Sequence, residues 1–275
     1  MKKILVPTDF SKEAENALKT AAIIAKKFDA EIYLLHMLDL PLNLIDPVQG
    51  NSQNVPEALY FMKLAHLEFS KIKQNDYLKA ITVNEAVQFN YAFRGITEFA
   101  KNNQCELIIM GSHGSSGFRE MFIGSNTEKV VRQSEIPVLV IKEESQAFNV
   151  EKFIFATDTE IDNRKTLLKA VEFSNLFEAE LHLLFVNTPN NFTTTKQAYA
   201  DLGEFLQEMN LNNIKKHIYN DISVEKGILN FAEKINADLI GISTHGRKGL
   251  AHFFNGSISE DLVNHAKRPV VTFKI

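Results

Sequence analysis

Short apolar runs alternate with amphipathic segments along the whole chain. In the first half, the apolar runs predict strands at 4–6, 32–37, 81–87, 107–110 and 138–141. Helical periodicity predicts helices at 12–28, 57–75, 94–103 and 126–133. The first of these helices carries an apolar stripe that we expect to be buried: Ala14, Ala17, Leu18, Ala21, Ala22 and Ala25. Strands that alternate with helices indicate a parallel sheet with helices on both faces.

The second half repeats the first. Residues 153–186 align without a gap on 4–37, at an offset of 149, and the later parts of the halves align at an offset of 132. The repeat predicts strands near 152–156, 180–186, 214–219, 239–243 and 269–273. It predicts helices near 162–177, 196–209, 224–236 and 257–267. The extra residues of the first half fall in 41–56, which is rich in Pro, Asn and Gln and indicates an exposed loop.

One duplication therefore predicts two tandem domains, 1–145 and 150–275. The expected fold class is α/β, with each domain a Rossmann-like five-stranded parallel sheet flanked by helices. In such sheets, ligands bind beyond the carboxyl ends of the strands, where the strand order reverses. Asp9 follows the first strand and Gly111 ends the fourth, so we expect both at the same edge of the sheet.

Composition excludes several classes of protein. The 275 residues are 45% apolar and 23% charged, as in ordinary soluble domains, and the net charge of −4 does not favour a nucleic-acid or membrane-surface binder. The single cysteine, Cys105, excludes an internal disulfide and suits a reducing compartment. No apolar run approaches the roughly 18 residues of a membrane span, and the N-terminal one is too short for a signal peptide. We expect a cytoplasmic protein.

The segment 107–125 is the strongest candidate for chemistry. An apolar strand ends there in a glycine-rich loop with Gly111, Gly114, Gly117 and Gly124, and a helix follows. Such a loop can bind a phosphate, because glycine allows close approach and a helix N-terminus offers unpaired N–H groups. A tight connection that binds no ligand is the alternative. The loop is neither a Walker A motif, since no lysine precedes Ser125, nor a G-x-G-x-x-G fingerprint.

The spacing of this loop resembles the nucleotide-binding signature of the universal stress protein family. Gly111, two residues, Gly114, nine residues and Gly124-Ser125 follow the strand, with His113 in the first gap. The resemblance covers both halves nearly end to end. It implies a regulatory protein that binds ATP or AMP and is produced under stress or growth arrest. It also implies that Asp9 accepts hydrogen bonds from a ribose or an adenine edge, and that Met37 lies on the adenine ring.

The candidate residues form two sets. The nucleotide-binding set of the first half is Pro7, Thr8, Asp9, Met37, Met110, Gly111, His113, Gly114, Gly124, Ser125 and Asn126. A second candidate site consists of Thr157, Asp158, Val186, Ser243, Gly246, Gly256 and Ser257. Ser243 occupies the first glycine position, where a Cβ could weaken binding, although Arg247 and Lys248 could meet phosphate charge. The first half is therefore the preferred site.

Some of these residues have simpler interpretations. Asp9 can be the N-cap of the first helix, and Ser125 can cap the helix that follows the glycine loop. His113 and His245 are expected to pack within their loops, because no second ligand at metal-like spacing lies near them. We expect no metal site and no catalytic residue.

The residues of the glycine loop also limit the reactions that the protein could catalyse. The loop shows no strong base, no arginine finger and no clear carboxylate pair for Mg²⁺, so hydrolysis should be slow or absent. The expected ligand is ATP, with AMP or ADP as alternatives and a role for Mg²⁺ left open. The resemblance also implies pairing of the domains through their last strands, 138–142 and 270–274, and a further association of two chains.

Three functions of different classes remain open. They are a nucleotide-binding regulator, a scaffold or sensor that binds no nucleotide, and an enzyme that transfers adenylate. The enzyme would need an additional substrate domain, for which two equal halves leave no room. A phosphoacceptor role for Asp9 is weaker, because the expected acidic cluster and switch lysine are not evident.

Overall fold

A computed structural model describes residues 1–38, 55–89, 91–112, 124–144, 147–207, 209, 211, 213–244 and 256–275. These residues form two compact units. Unit 1 comprises Met1–Val130 and Glu143–Phe148, and unit 2 comprises Val131–Lys142 and Asn149–Ile275. Both have an α/β fold in which a mostly parallel sheet is flanked by helices.

Unit 1 contains four parallel strands. They are β1 (Lys3–Thr8), β2 (Glu31–Leu38), β3 (Val83–Phe89) and β4 (Leu107–Gly111), in the order β3-β2-β1-β4. Its helices are α1 (Lys12–Phe28), α2 (Val55–Ile72), α3 (Ala92–Asn102) and the first residues of α4 (Ser125–Gln133). In β1, Ile4 pairs with Ile32 on one side and with Leu107 on the other. Strand β1 therefore lies between β2 and β4.

Helix α1 shows why the periodicity predicted its bounds. Ser11 is the N-cap, and its side chain accepts a hydrogen bond from the N–H of Ala14. Every residue of the predicted apolar stripe is buried. At the other end, Asp29 adopts a left-handed conformation with φ of 51°, which ends the helix. Capping at both ends and burial of one face together define the element.

Unit 2 contains a five-stranded parallel sheet. Its strands are β6 (Lys152–Ala156), β7 (Glu180–Asn187), β8 (Ile214–Asn220), β9 (Leu239–Thr244) and β10 (Val270–Lys274), in the order β10-β9-β6-β7-β8. Its helices are α5 (Arg164–Phe177), α6 (Thr195–Leu206), α7 (Val224–Lys234) and α8 (Gly256–His265). A further strand, β5 (Val138–Ile141), pairs antiparallel with β10, with Val140 opposite Val270. The last strand of the first sequence half thus belongs to unit 2.

The helices and strands lie where the sequence predicts them, with differences at the ends. Most of the predicted loop 41–56 lies outside the described residues, but its last two residues, Val55 and Pro56, belong to α2. Two apolar residues of α2, Leu59 and Leu67, are more than half exposed, whereas Phe69 is fully buried. Periodicity alone did not distinguish the inner from the outer face of this helix.

The backbone preserves the duplication that the sequence shows. Left-handed residues occur at matched positions of the two units, where they end helices or follow the first strand. The matched pairs are Phe10 (φ 65°) and Thr159 (67°), Asp29 (51°) and Glu178 (58°), and Gln104 (57°) and Asn236 (52°). Because non-glycine residues rarely adopt positive φ, their recurrence supports common descent of the halves.

Two further observations bear on the expectations from composition. Cys105 is buried, and its burial raises the pKa of the thiol to about 11. Within the described parts of the chain, no helix combines the length and the apolar character that crossing a membrane requires.

Candidate functional site

A cavity of about 360 Å³ opens at the carboxyl edge of the unit 1 sheet. It is lined by Pro7, Thr8, Asp9, Ala14, Leu35, Met37, Ala92, Ile96, Met110, Gly111, Gly124, Ser125, Asn126 and Thr127. The chain passes from β1 to β2 and β3 on one side, and β4 lies on the other side of β1. The cavity therefore lies at the point where the strand order reverses, the usual place for a ligand in such sheets.

The predicted residues of the first half come together at this cavity. All of them line it except His113 and Gly114, which lie outside the described residues. Five lining residues were not predicted: Ala14, Leu35, Ala92, Ile96 and Thr127. Leu35 could have been found, because it lies two residues before Met37 and residues two apart on a strand share a face. The others come from helix starts, whose direction the sequence does not reveal.

Asp9 lies on the rim of the cavity and is not the cap of α1. Its Oδ1 accepts a hydrogen bond from the N–H of Ser11 at 3.1 Å, and Ser11 itself is the N-cap. Just before it, Thr8 Oγ1 accepts from the N–H of Phe10 at 3.0 Å. The backbone turn at Phe10 thus holds the exposed Asp9 carboxylate at the end of β1.

Gly111 is required by the close approach of α1. A Cβ at this position would lie 2.6 Å from the carbonyl oxygen of Glu13, in the first turn of that helix. Since real Cβ atoms do not approach a backbone oxygen so closely, a side chain here would displace α1. The glycine is needed for space, and it lets β4 end directly beside the start of α1.

Helix α4 begins at the wall of the cavity next to the end of β4. The N–H of Gly124 donates to the carbonyl of Ser112 at 2.8 Å, and Thr127 Oγ1 donates to the carbonyl of Gly111 at 3.1 Å. The helix ladder starts with the N–H of Glu128, which donates to Gly124. The preceding residues, 125–127, line the cavity with the positive end of the helix dipole.

The two ends of the cavity differ in polarity. Leu35, Met37 and Ile96 give it an apolar end at β2 and α3, and α4 gives it an end rich in N–H and hydroxyl groups. Its described lining contains no lysine or arginine. In the part of the chain that the structure describes, no group of three or more His, Cys, Asp or Glu side chains is placed to hold a metal ion.

The corresponding edge of unit 2 differs. Ser243, the counterpart of Gly111, is fully buried, and its Oγ lies 2.7 Å from Oγ1 of Thr166. Thr157 is buried, and Asp158 accepts hydrogen bonds from the N–H of Glu160 and from the side chain of Asn163.

The remaining residues of the second candidate set are placed as follows. Val186 is buried, and a Cβ on Gly227 of α7 would lie 2.4 Å from its Cγ1. Gly256 begins α8, which also contains Ser257. Gly246 lies outside the described residues. Among the described members of this set, Ser243 and Asp158 thus hydrogen-bond to the side chains of Thr166 and Asn163.

Comparison with known proteins identifies the family. The model of the Universal stress protein family matches residues 1–142 and 149–274. The chain belongs to the universal stress protein family. Universal stress protein MJ0531 of Methanocaldococcus jannaschii is 31% identical over 141 residues, which cover 51% of this chain and 82% of that protein. Universal stress protein Slr1230 of Synechocystis is 25% identical over 297 aligned positions that cover 100% of both chains.

A solved structure agrees with the fold at full length. The crystal structure of a universal stress protein from Archaeoglobus fulgidus matches with a TM-score of 0.67 at 22% identity, and the match covers 99% of this chain and 98% of that one. The two family matches and the full-length sequence match show a tandem universal stress protein, and the structural match shows the same fold.

Proposed function

We propose that this universal stress protein binds one adenine nucleotide, with ATP as the ligand, in the cavity of unit 1. The observation that carries the proposal is the division of the cavity wall: an apolar end and an N–H-rich end, with the Asp9 carboxylate between them. A nucleotide has the same three parts, namely a flat base, a ribose and phosphates. The family resemblance of the glycine loop supports the same ligand.

The order of the strands suggests how the nucleotide lies. Met37 is the last residue but one of β2, Asp9 follows β1 and Gly111 ends β4, and these strands are neighbours in that order. With strands about 4.8 Å apart, the site extends about 10 Å from Met37 to the start of α4. We place the base against Met37 and Ile96, the ribose at Asp9, and the phosphates at Ser125 and Asn126.

We further propose a regulatory role with slow or no hydrolysis. Phosphate binding would depend on the α4 dipole and on backbone N–H groups, because the described lining lacks lysine and arginine. Fast phosphoryl transfer needs charges or a metal that stabilise the transition state. Hydrolysis of ATP, followed as phosphate release, should therefore stay near the rate without protein.

The organisation of the chain extends this proposal. We keep the domain limits at 1–145 and 150–275, which the family matches to 1–142 and 149–274 support. The antiparallel pairing of β5 with β10 supports association of the two domains through their last strands, and two chains could then associate further. The buried, unpaired Cys105 agrees with a cytoplasmic location.

Calorimetric titration of the full chain with ATP, ADP, AMP and GTP tests the nucleotide site. We compare wild type with Asp9→Asn, in which the amide oxygen can still accept the Ser11 N–H while the charge is lost. Since hydrogen bonds to charged groups contribute about 1.5–3 kcal/mol, Asp9→Asn should weaken ATP binding by roughly tenfold to a hundredfold. The matched control is Asp76→Asn, whose side chain is 89% exposed in the same unit.

Two results would contradict the proposal. Wild type that binds no adenine nucleotide would favour the alternative of a scaffold or sensor without a nucleotide. ATP binding that Asp9→Asn and Asp76→Asn leave equally strong would move the ligand away from the cavity of unit 1.

A further inference from the structure

We infer that Asn163 of unit 2 is a built-in substitute for the ligand, and that positions 14 and 111, with their counterparts Asn163 and Ser243, decide which half of the chain binds a nucleotide. The inference rests on the proposed function. It goes beyond it by naming the residues that determine specificity and by giving unit 2 a site filled by its own side chains.

The first observation is the position of Asn163. At the offset of 149 that relates the halves, it is the counterpart of Ala14, which lines the unit 1 cavity. Asn163 is fully buried, and its Nδ2 donates to Oδ1 of Asp158, the counterpart of Asp9. The amide thus gives Asp158 a hydrogen bond of the kind that a nucleotide would give Asp9.

The second observation is a chain of hydroxyl groups beneath Asn163. Thr166 Oγ1 donates to the carbonyl of Asn163 at 2.8 Å, so its single proton is used. Ser243 Oγ, 2.7 Å from the same oxygen, must then be the donor to Thr166. All three residues are fully buried. Ser243 therefore does more than replace a glycine, because it bonds to the segment that carries Asn163.

The third observation is the start of the helix. In unit 1, α1 begins as an α-helix at Lys12, and its first turn crowds Gly111. In unit 2 the matching residues, Ile161–Asn163, form a 3₁₀ turn, and α5 begins only at Arg164. The change of helix type accompanies the two substitutions, since the space that Gly111 must leave free in unit 1 holds the Ser243 side chain in unit 2.

A variant that lacks the Asn163 side chain should still fold, so its effect on ATP binding can be measured. Oδ1 of Asn163 is buried and has no hydrogen-bond partner among the described residues, and the same is true of Oδ2 of Asp158. Unpaired buried oxygens are unfavourable, so the hydrogen-bonding groups of the Asn163 side chain are not all satisfied. The protein should therefore tolerate the removal of this side chain. Asp158 would keep the N–H of Glu160 as a donor.

The experiment counts bound ATP per full-length chain by calorimetry. Wild type should bind one equivalent. Ala14→Asn should reduce ATP affinity at least tenfold, whereas Lys12→Asn, an exposed change in the same helical turn, should bind as wild type does. The reverse change, Asn163→Ala with Ser243→Gly, should raise the stoichiometry to two, and Asp158→Asn added to that variant should return it to one.

The outcomes separate the inference from the proposed function. A wild-type chain that binds no ATP overturns the proposed function. Two equivalents on wild type, or full affinity in Ala14→Asn, leave nucleotide binding in the cavity of unit 1 standing and overturn the inference. A double variant that folds, as thermal unfolding reports, and still binds one equivalent would also overturn the inference, because side chains other than Asn163 and Ser243 would then block the site in unit 2.

Discussion

Nδ1 of His182 lies 3.0 Å from Nε2 of His217, and the two rings stack with their centroids 5.0 Å apart. The histidines lie on neighbouring strands, β7 and β8, of the unit 2 sheet. Nε2 of His182 is 2.8 Å from Oε1 of Glu180. A hydrogen bond between the two rings needs one of these nitrogens to donate and the other to accept, so only one of the two facing nitrogens carries a proton.

Burial lowers the pKa of both histidines. For His182 the nearby Glu180 opposes this effect, while Lys215 and Lys152 add to it. For His217, protonation is further disfavoured by His182, Lys215 and Lys234, and Glu180 again opposes the shift. The charged form of either ring is thus less favourable in the folded than in the unfolded protein.

Acid should therefore destabilise unit 2. A histidine whose pKa is lowered on folding contributes stability that is present above its ordinary pKa of 6.5 and is lost as the pH falls through the folded value. We expect the unfolding temperature of wild type to be constant from pH 8 to about 7 and to fall steadily below pH 6.5. The measurement is thermal unfolding at constant ionic strength.

Variants show whether the histidine pair causes the acid effect. In His217→Gln, which removes one titrating ring, the loss of stability between pH 7 and pH 5.5 should be smaller than in wild type. His66→Gln, a change at a half-exposed histidine of unit 1, is the control. If His217→Gln and His66→Gln lose as much stability as wild type over that range, the pair does not determine the acid response.

Much of the fold could be predicted because it depends on local signals. The bounds of α1 follow from an apolar stripe that is visible in the sequence, although the residue that caps the helix is Ser11 and not Asp9, the cap that the sequence suggested. The strands are short apolar runs between turns, and the duplication gave each of them an independent second observation. The edge of the sheet that carries Asp9 and Gly111 followed from the general rule for parallel sheets.

The parts that escaped prediction depend on contacts between distant segments. Ala14 was predicted as a core residue, and only the packing of α1 beside β4 places it at a cavity. Likewise, nothing near Asn163 in the sequence indicates that its amide reaches Asp158. The stacking of His182 on His217 depends on strand register between β7 and β8, which alternation of residue types does not fix.

Two glycines of unit 2 should respond to alanine in opposite directions. Gly203 lies exposed inside α6, and a Cβ there would meet nothing within 4 Å. Gly203→Ala should stabilise the protein by about 0.5–1 kcal/mol, because glycine costs a helix conformational entropy. A Cβ on Gly241 of β9 would lie 2.6 Å from Cε2 of Phe153, which is fully buried. Gly241→Ala should therefore destabilise by about 1–3 kcal/mol.

Denaturant unfolding of the two alanine variants measures both effects, and each serves as the control for the other. A destabilised Gly203→Ala would mean that the glycine is needed at the surface of α6 for a reason other than space. A neutral Gly241→Ala would mean that the Phe153 ring moves aside, against its close packing with Phe173, whose ring centroid lies 6.0 Å away.

Thr127 should position the phosphate end of the unit 1 site. It is buried, and its Oγ1 ties the first turn of α4 to the carbonyl of Gly111 at 3.1 Å. Thr127→Val keeps the shape and removes the tie, so stability should fall by about 1 kcal/mol. If the tie aligns the N–H groups of α4 with phosphates, ATP binding should weaken about tenfold while adenosine binding is unchanged.

Thr97→Val on α3 is the matched control, because that hydroxyl also donates to a backbone carbonyl, that of Phe93 at 3.1 Å, but lies outside the cavity lining. Equal losses for ATP and adenosine in Thr127→Val would indicate a general loosening of the site and contradict a role at the phosphates.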